Sequence, residues 1–278
     1  MLKLYKTDMR RVLKDKLFLV VCILGVVFSA ITPLLYKFIM SAGGLGDEMA
    51  LLPEFYSMFS AKSMFFEAFL PGSNFGLIMP VLISIVICKD FSFGTVRNKI
   101  ICGCSRTKIF LSLFFTSATV ICLTMLVHAF LTLGIGLIFF DYQTDPLIAA
   151  DILYLITSTA MEMLVYICVA ALVAFLCAAM KNVGLVIVMY VAVNFIFTII
   201  DSILLVGVQI MRVDSPDSVL YKVMEFARKI NIFSSSSIIG NGTEYTLSET
   251  LYCILPPAIF TALLIALGTV IFRKKDIK

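Results

Sequence analysis

Glu162 and His128 are the ionisable side chains that stand deep within long apolar runs of this sequence. A charge at the centre of a bilayer costs about 2.5–3.5 kcal/mol on insertion scales, so Glu162 is expected to carry a proton or to pair inside the protein. Two roles fit it, a structural interhelical bond and a place on a transport route. His128 is the one histidine and lacks the titratable neighbours of a proton relay, so it reads as structural. Asn194 suits an interhelical hydrogen bond, and Asp201, near the end of its apolar run, reads as a boundary residue. No catalytic set joins these groups: H-E-x-x-H and G-x-S-x-G are both missing from the sequence. Cys102 and Cys104 form a close pair with no third ligand near enough for zinc. No G-x-x-x-x-G-K-[S/T] phosphate loop occurs, and Gly43-Gly44-Leu45-Gly46 has no following Lys. The chain is therefore expected to bind no cofactor and to be no enzyme by itself.

The elements that hold these residues are set by solvent. Of the 278 residues 61% are hydrophobic and 14% charged, whereas soluble domains carry roughly 45–50% and 25%. So few charges cannot clothe a water-facing surface. About 20 apolar residues cross the hydrocarbon as a helix, and six runs qualify: 17–39, 73–88, 109–140, 152–180, 183–208 and 251–272. The third is too long for an upright span and must tilt or project. Only Lys181-Asn182 separates the fourth from the fifth, which predicts a tight hairpin. The run from Leu17 is too long for a signal peptide, and no cleavage site follows. One permease-like domain, 1–278, is expected, all-α and integral to the membrane. The eight cysteines lie in apolar runs or in segments assigned to the inside, so a disulfide framework is not expected.

Most of the 22 Lys and Arg gather at 1–16, 89–108 and the C-terminus. That bias places both termini in the cytoplasm of a plasma membrane. The basic clusters flank apolar runs, which argues against nucleic acid as a partner. Segments 40–72 and 209–249 then fall outside; the first is rich in large apolar residues, many of them aromatic, among them Leu51, Leu52, Phe55, Tyr56, Phe59, Phe65, Phe66 and Phe69. Interfacial helices on the outer leaflet are the first expectation there, with substrate gating as the other. Asn241-Gly-Thr243 matches a glycosylation sequon, relevant only in a eukaryotic secretory pathway.

Residues 1–16 form an amphipathic pattern: Leu2, Tyr5, Met9, Val12 and Leu13 on one face, Lys3, Lys6, Arg10, Arg11 and Lys14 on the other. It is expected to lie on the inner membrane surface as an elbow, its cations near anionic lipid. Lys89–Phe110, KDFSFGTVRNKIICGCSRTKIF, is the longest internal polar segment after it. Gly94 permits a turn, Thr95–Ile101 makes two helical turns, Gly103 ends them, and Ser105 suits the cap of the third span. The product is a short helix held by two long spans.

FGTVRNKI followed by CSRTKIFLS resembles the segment after the second span in ABC-two-type export permeases, the membrane subunits with the type V exporter fold. Asp90 stands slightly earlier than the acid often found there, and Leu113 takes the place of a Lys. The basic N-terminus, six spans and helical external segment before span six resemble that family as well. The resemblance implies that Gly94, Thr95, Val96, Arg97, Asn98, Lys99 and Ile100 form the coupling helix, with Arg106 close behind. It also implies two copies of a separate ABC ATPase subunit carrying ATP and Mg, and a second permease chain as partner. An amphiphilic substrate is then expected, such as an antimicrobial peptide, drug or lipid-like molecule, exported from a bacterial cell. A non-transporting sensor, scaffold or assembly protein would share the topology, and an intramembrane enzyme is the third class.

Overall fold

In a computed structural model, every described element is a helix. The structure describes residues 1–42, 59–142, 149–180, 182–215, 218–241 and 247–274. The eleven helices are α1 (Leu2–Lys14), α2 (Lys16–Ala42), α3 (Ala61–Ala68), α4 (Asn74–Ser92), α5 (Thr95–Ile101), α6 (Arg106–Phe139), α7 (Ala149–Met180), α8 (Val183–Asp214), α9 (Val219–Ile230), α10 (Ile232–Asn241) and α11 (Leu247–Lys274). Six of them, α2, α4, α6, α7, α8 and α11, are long and apolar enough to cross a membrane, so the chain is a multi-pass membrane protein with six candidate spans. Three helices, α3, α8 and α9, begin where the sequence supplies a side-chain acceptor for orphan amides. Ser60 Oγ accepts from Ser63 N, and Ser218 Oγ from Tyr221 N. Asn182 Oδ1 accepts from Gly184 N at 2.9 Å, capping α8, which begins at Val183 shortly after α7 ends at Met180.

The spans divide into an inner and an outer set. In α7, 61% of the apolar stretch is buried and in α4 56%, against 17% in α8 and α11 and 22% in α2. Lipid is as apolar as leucine, so what holds the inner set is close packing and hydrogen bonding rather than escape from water. Tyr166 Oη donates to the Phe69 carbonyl at 2.9 Å, and Tyr154 Oη to the Ile239 carbonyl at 2.7 Å. Buried Ser29 Oγ lies 2.7 Å from His128 Nδ1, joining α2 to α6.

Part of each segment expected on the outer leaflet, α3 in the first and α10 in the second, lies inside the bundle. α3 is enclosed: Phe65 and Phe69 are fully buried, and Phe65 packs edge-on against Phe66, Phe69 and Phe130. Its first amides donate to the Asp141 and Tyr142 carbonyls at 3.1 Å, tying it to the end of α6. α10 is enclosed too, with Ser234, Ser235 and Ser236 at 1% exposure or less. Both corrections share a reason. Phe65 finds other rings, including Phe130 of α6, and Ser234 and Ser236 find carboxylates, Asp201 and Glu162, on neighbouring spans, where sequence alone suggests an interface or a solvated loop. α9 does keep an exposed apolar face, Val219, Val223, Phe226 and Ile230. Leu51, Leu52, Phe55, Tyr56, the Gly43–Gly46 cluster, Lys181 and Gly242-Thr243 lie outside the described residues.

Candidate functional site

The densest set of charged contacts forms at the end of the bundle that carries the termini, where α1, α4, α5 and α6 meet. α5 exists because two glycines bracket it. Gly94 (φ 68°) and Gly103 (φ 82°) adopt left-handed backbone that other residues enter at a cost of roughly 1–2 kcal/mol. The chain therefore leaves α4, makes two turns and re-enters α6, with Ser105 in the extended N-cap conformation.

The short helix has two faces. Val96 is 1% exposed and packed into the core, and Lys99 points the same way. Lys99 Nζ donates to Asp8 Oδ1 at 2.5 Å and lies 3.5 Å from Asp90 Oδ2. Asp8 Oδ2 also accepts from Ser112 Oγ at 2.6 Å. Arg11 pairs with Asp90, and Lys89 donates to Asp15 at 2.8 Å. One joint thus links α1 through Asp8, Arg11 and Asp15, α4 through Lys89 and Asp90, α5 through Lys99, and α6 through Ser112. Asp8 and Asp90 are nearly inaccessible to solvent, so each requires its cation. The other face of α5 is bare. Arg97, Asn98 and Ile101 (73% exposed) point away from the protein, with 97 and 101 at four-residue spacing, and Phe93 (77%), which precedes the helix, is exposed as well.

The charges feel this geometry. Burial lowers the Lys99 ammonium from its ordinary value, with Asp8 opposing. Burial likewise lowers the Arg11 guanidinium, against Asp8 and Asp15. For Asp15, burial pushes upward, but the Lys89 hydrogen bond, the Leu17 amide and Arg11 together outweigh it, and the carboxyl ends below its ordinary 3.8.

Of the coupling residues, Gly94 caps α5 rather than lying in it, Arg97 and Asn98 are outward, and Val96 and Lys99 are inward. Arg106 Nη1 donates to the Arg273 carbonyl at 2.8 Å, joining the start of α6 to the end of α11. In α1, Lys3, Lys6, Arg10 and Lys14 are exposed, but Arg11 is not on their free face. It turns inward to Asp90 because it shares a side with Asp8 and Asp15. Val12 is likewise buried in the bundle, leaving Leu2 and Leu13 as the exposed apolar edge. The residues missed were the acids Asp8 and Asp15. Their signal was available: two acids seven apart, with Arg11 between them, in an otherwise basic helix.

The intramembrane groups lie elsewhere. His128 Nδ1 is 3.1 Å from the Gly25 carbonyl, and its ring packs on Phe75 at 4.6 Å. Asn194 Nδ2 donates to the Pro71 carbonyl at 2.9 Å, joining α8 to the α3–α4 turn. Asp201 accepts from Ser234 and pairs with Arg228 at 3.4 Å. Glu162 Oε2 accepts from Ser236 Oγ at 2.7 Å. The structure brings none of these four to the charged joint.

No curated protein matches the chain. The model of a family described as a protein of unknown function (DUF2705) matches residues 17–278, nearly the whole length, and the chain belongs to that family.

Proposed function

We propose that the chain is the membrane permease subunit of an ATP-driven ABC exporter, with the ATPase on another polypeptide. The observation that carries this reading is α5: a two-turn helix anchored on one face by Val96 and Lys99 and offering Arg97, Asn98 and Ile101 on the other, with exposed Phe93 just before it. A helix that must receive force needs a free face for the motor and a stiff connection to the spans. The charged joint supplies the second, since a push on α5 reaches α4 and α6 covalently and α1 through Lys99 and Asp8. The resemblance of FGTVRNKI and CSRTKIFLS to the coupling segment of ABC-two-type permeases supports the same assignment.

In this reading both termini and α5 face the cytoplasm, consistent with the clustering of Lys and Arg there. Two permease chains pair, each docking one ATPase. ATP and Mg bind and are hydrolysed on the partner, whose closure draws the two α5 helices together and reopens the spans outward. The substrate class is amphiphilic, a peptide, drug or lipid-like molecule, since the route lies among apolar spans. Exposed Lys3, Lys6, Arg10 and Lys14 hold α1 against anionic headgroups.

The test is co-expression with the ABC ATPase encoded nearest its gene, followed by purification and ATPase measurement. A stable complex is expected, and Arg97→Glu should cut permease-stimulated hydrolysis at least tenfold while leaving the fold intact. Failure to form a complex, unchanged stimulation in R97E, or labelling of a cysteine at Asn98 from outside the cell would overturn the assignment.

A further inference from the structure

A small polar cavity lies where α2, α3, α4 and α6 meet. Thr32 of α2, Glu67 of α3, Ser73 and Asn74 at the start of α4, and His128 and Thr132 of α6 line it. Its volume is about 10 Å³, the room that a single water-sized group requires. The hydroxyls already direct their protons to backbone carbonyls: Thr32 Oγ1 donates to Phe28 at 3.4 Å, Ser73 Oγ to Leu70 at 2.9 Å and Thr132 Oγ1 to His128 at 2.9 Å. What each has left is lone pairs. His128 Nδ1 stands 3.1 Å from the Gly25 carbonyl oxygen, a contact that assigns the proton to Nδ1, so Nε2 of the neutral ring is an acceptor. Glu67 adds a carboxylate. Its Oε2 accepts from Tyr36 Oη at 2.6 Å, and among the described residues no Lys or Arg pairs with it. Apart from the exposed Asn74 amide, which donates or accepts, the polar groups here are acceptors.

We propose that this cavity binds a primary ammonium group, the polar end of an amphiphile. Three N–H donors and no acceptor are the complement of such a lining, and one positive charge matches the one carboxylate. Size selects in the same direction: an –NH₃⁺ group is about as large as water, whereas a quaternary head is bulkier and has no N–H. Glu67 is half-buried and Asn74 exposed, so the cavity opens on their side and the carbon chain has a way out. A bilayer aminolipid and a free alkylamine both carry this group. Binding itself does not depend on the exporter assignment. That the bound amine is the transported molecule does rest on it, and narrows the amphiphile to one bearing an ammonium.

The test needs no ATPase. The purified chain in phosphatidylcholine nanodiscs, whose lipid has no primary amine, is unfolded thermally with dodecylamine. The control is dodecyltrimethylammonium at equal mole fraction, which keeps the charge and the chain but has no N–H. Dodecylamine is expected to raise the midpoint saturably by about 2–4 °C, and the quaternary compound to leave it unchanged. Glu67→Gln keeps an acceptor for Tyr36 and should raise the half-saturating dodecylamine concentration at least tenfold. Thr132→Val loses only a bond within its own helix and should raise it about fivefold, which decides the matter if E67Q does not fold. A flat response to dodecylamine, an equal response to the quaternary compound, or half-saturation unchanged in the folded variants would overturn the proposal. So would an equal rise when NaCl replaces choline chloride, which would make a metal ion the occupant. Substituting phosphatidylethanolamine for part of the lipid separates the two sources. A rise that E67Q abolishes assigns the site to an aminolipid headgroup, and no rise beside a dodecylamine response assigns it to a free amine. Failure of the exporter assignment would show instead as a missing ATPase complex, with these midpoints untouched.

Discussion

The carboxylates of this chain live under two regimes. At the end that carries the termini, Asp8, Asp15 and Asp90 each meet a lysine or arginine. Inside the bundle, Glu162 meets a single hydroxyl, from Ser236, and no cation among the described residues. The first arrangement is strong only while every member stays in place, because removing one charge leaves another buried and uncompensated. The second is a neutral-donor bond, weaker per contact, but enclosed where water cannot substitute for a lost partner. Ion pairing at the edge gives a rigid joint, whereas hydroxyl pairing in the interior gives a small, satisfiable contact between two helices.

The sharpest way to break the first regime is Asp8→Ala. It strips Lys99 and Ser112 of their acceptor, and about 3–5 kcal/mol should be lost. Thermal unfolding in nanodiscs checks the loss, and proteolysis should find α1 detached. Ser236→Ala attacks the second regime and should cost less, about 1–3 kcal/mol, since a hydroxyl rather than a charge is removed. Asn194→Leu removes one interhelical bond to the Pro71 carbonyl, worth about 1 kcal/mol, and serves as the reference for an uncharged contact in the membrane.

Acid separates the regimes more gently. The folded-state Asp15 carboxyl lies below its ordinary 3.8, so its contribution is complete above that value. It should vanish as pH falls through the lower folded-state value. Asp15→Asn should flatten this part of the pH profile of the unfolding midpoint. The smallest effect is expected from Arg97→Glu, within about 0.5 kcal/mol of wild type, because Arg97 is exposed. Two residues along, Lys99→Ala should be far more damaging, and a similar loss in both would mean that α5 has no free face.

How much of this was legible in the sequence depends on what set each element. The six long helices follow from apolar runs of the length hydrocarbon demands, and their bounds moved by only a few residues, as in α4, which runs to Ser92 instead of residue 88. α5 was legible because Gly94 and Gly103 are backbone signals independent of tertiary context. The burial of α3 and α10 was not, since Phe65, Phe66 and Phe69 suit an interface as well as a bundle interior, and consecutive serines resemble a loop. The inward turn of Arg11 and Lys99 depended on acids distant in sequence, such as Asp90 and Asp8. A pattern of cations alone cannot say which of them already has a partner.

The sparse burial of α2, α8 and α11 carries a practical consequence. These spans turn most of their surface outward, although α11 packs along α7 and α2 along α6, so delipidation with a harsh detergent should loosen them before α4, α6 and α7, which keep their amide protection. Hydrogen exchange would then report a persistent three-helix kernel wrapped in a perimeter whose order is lent by the bilayer.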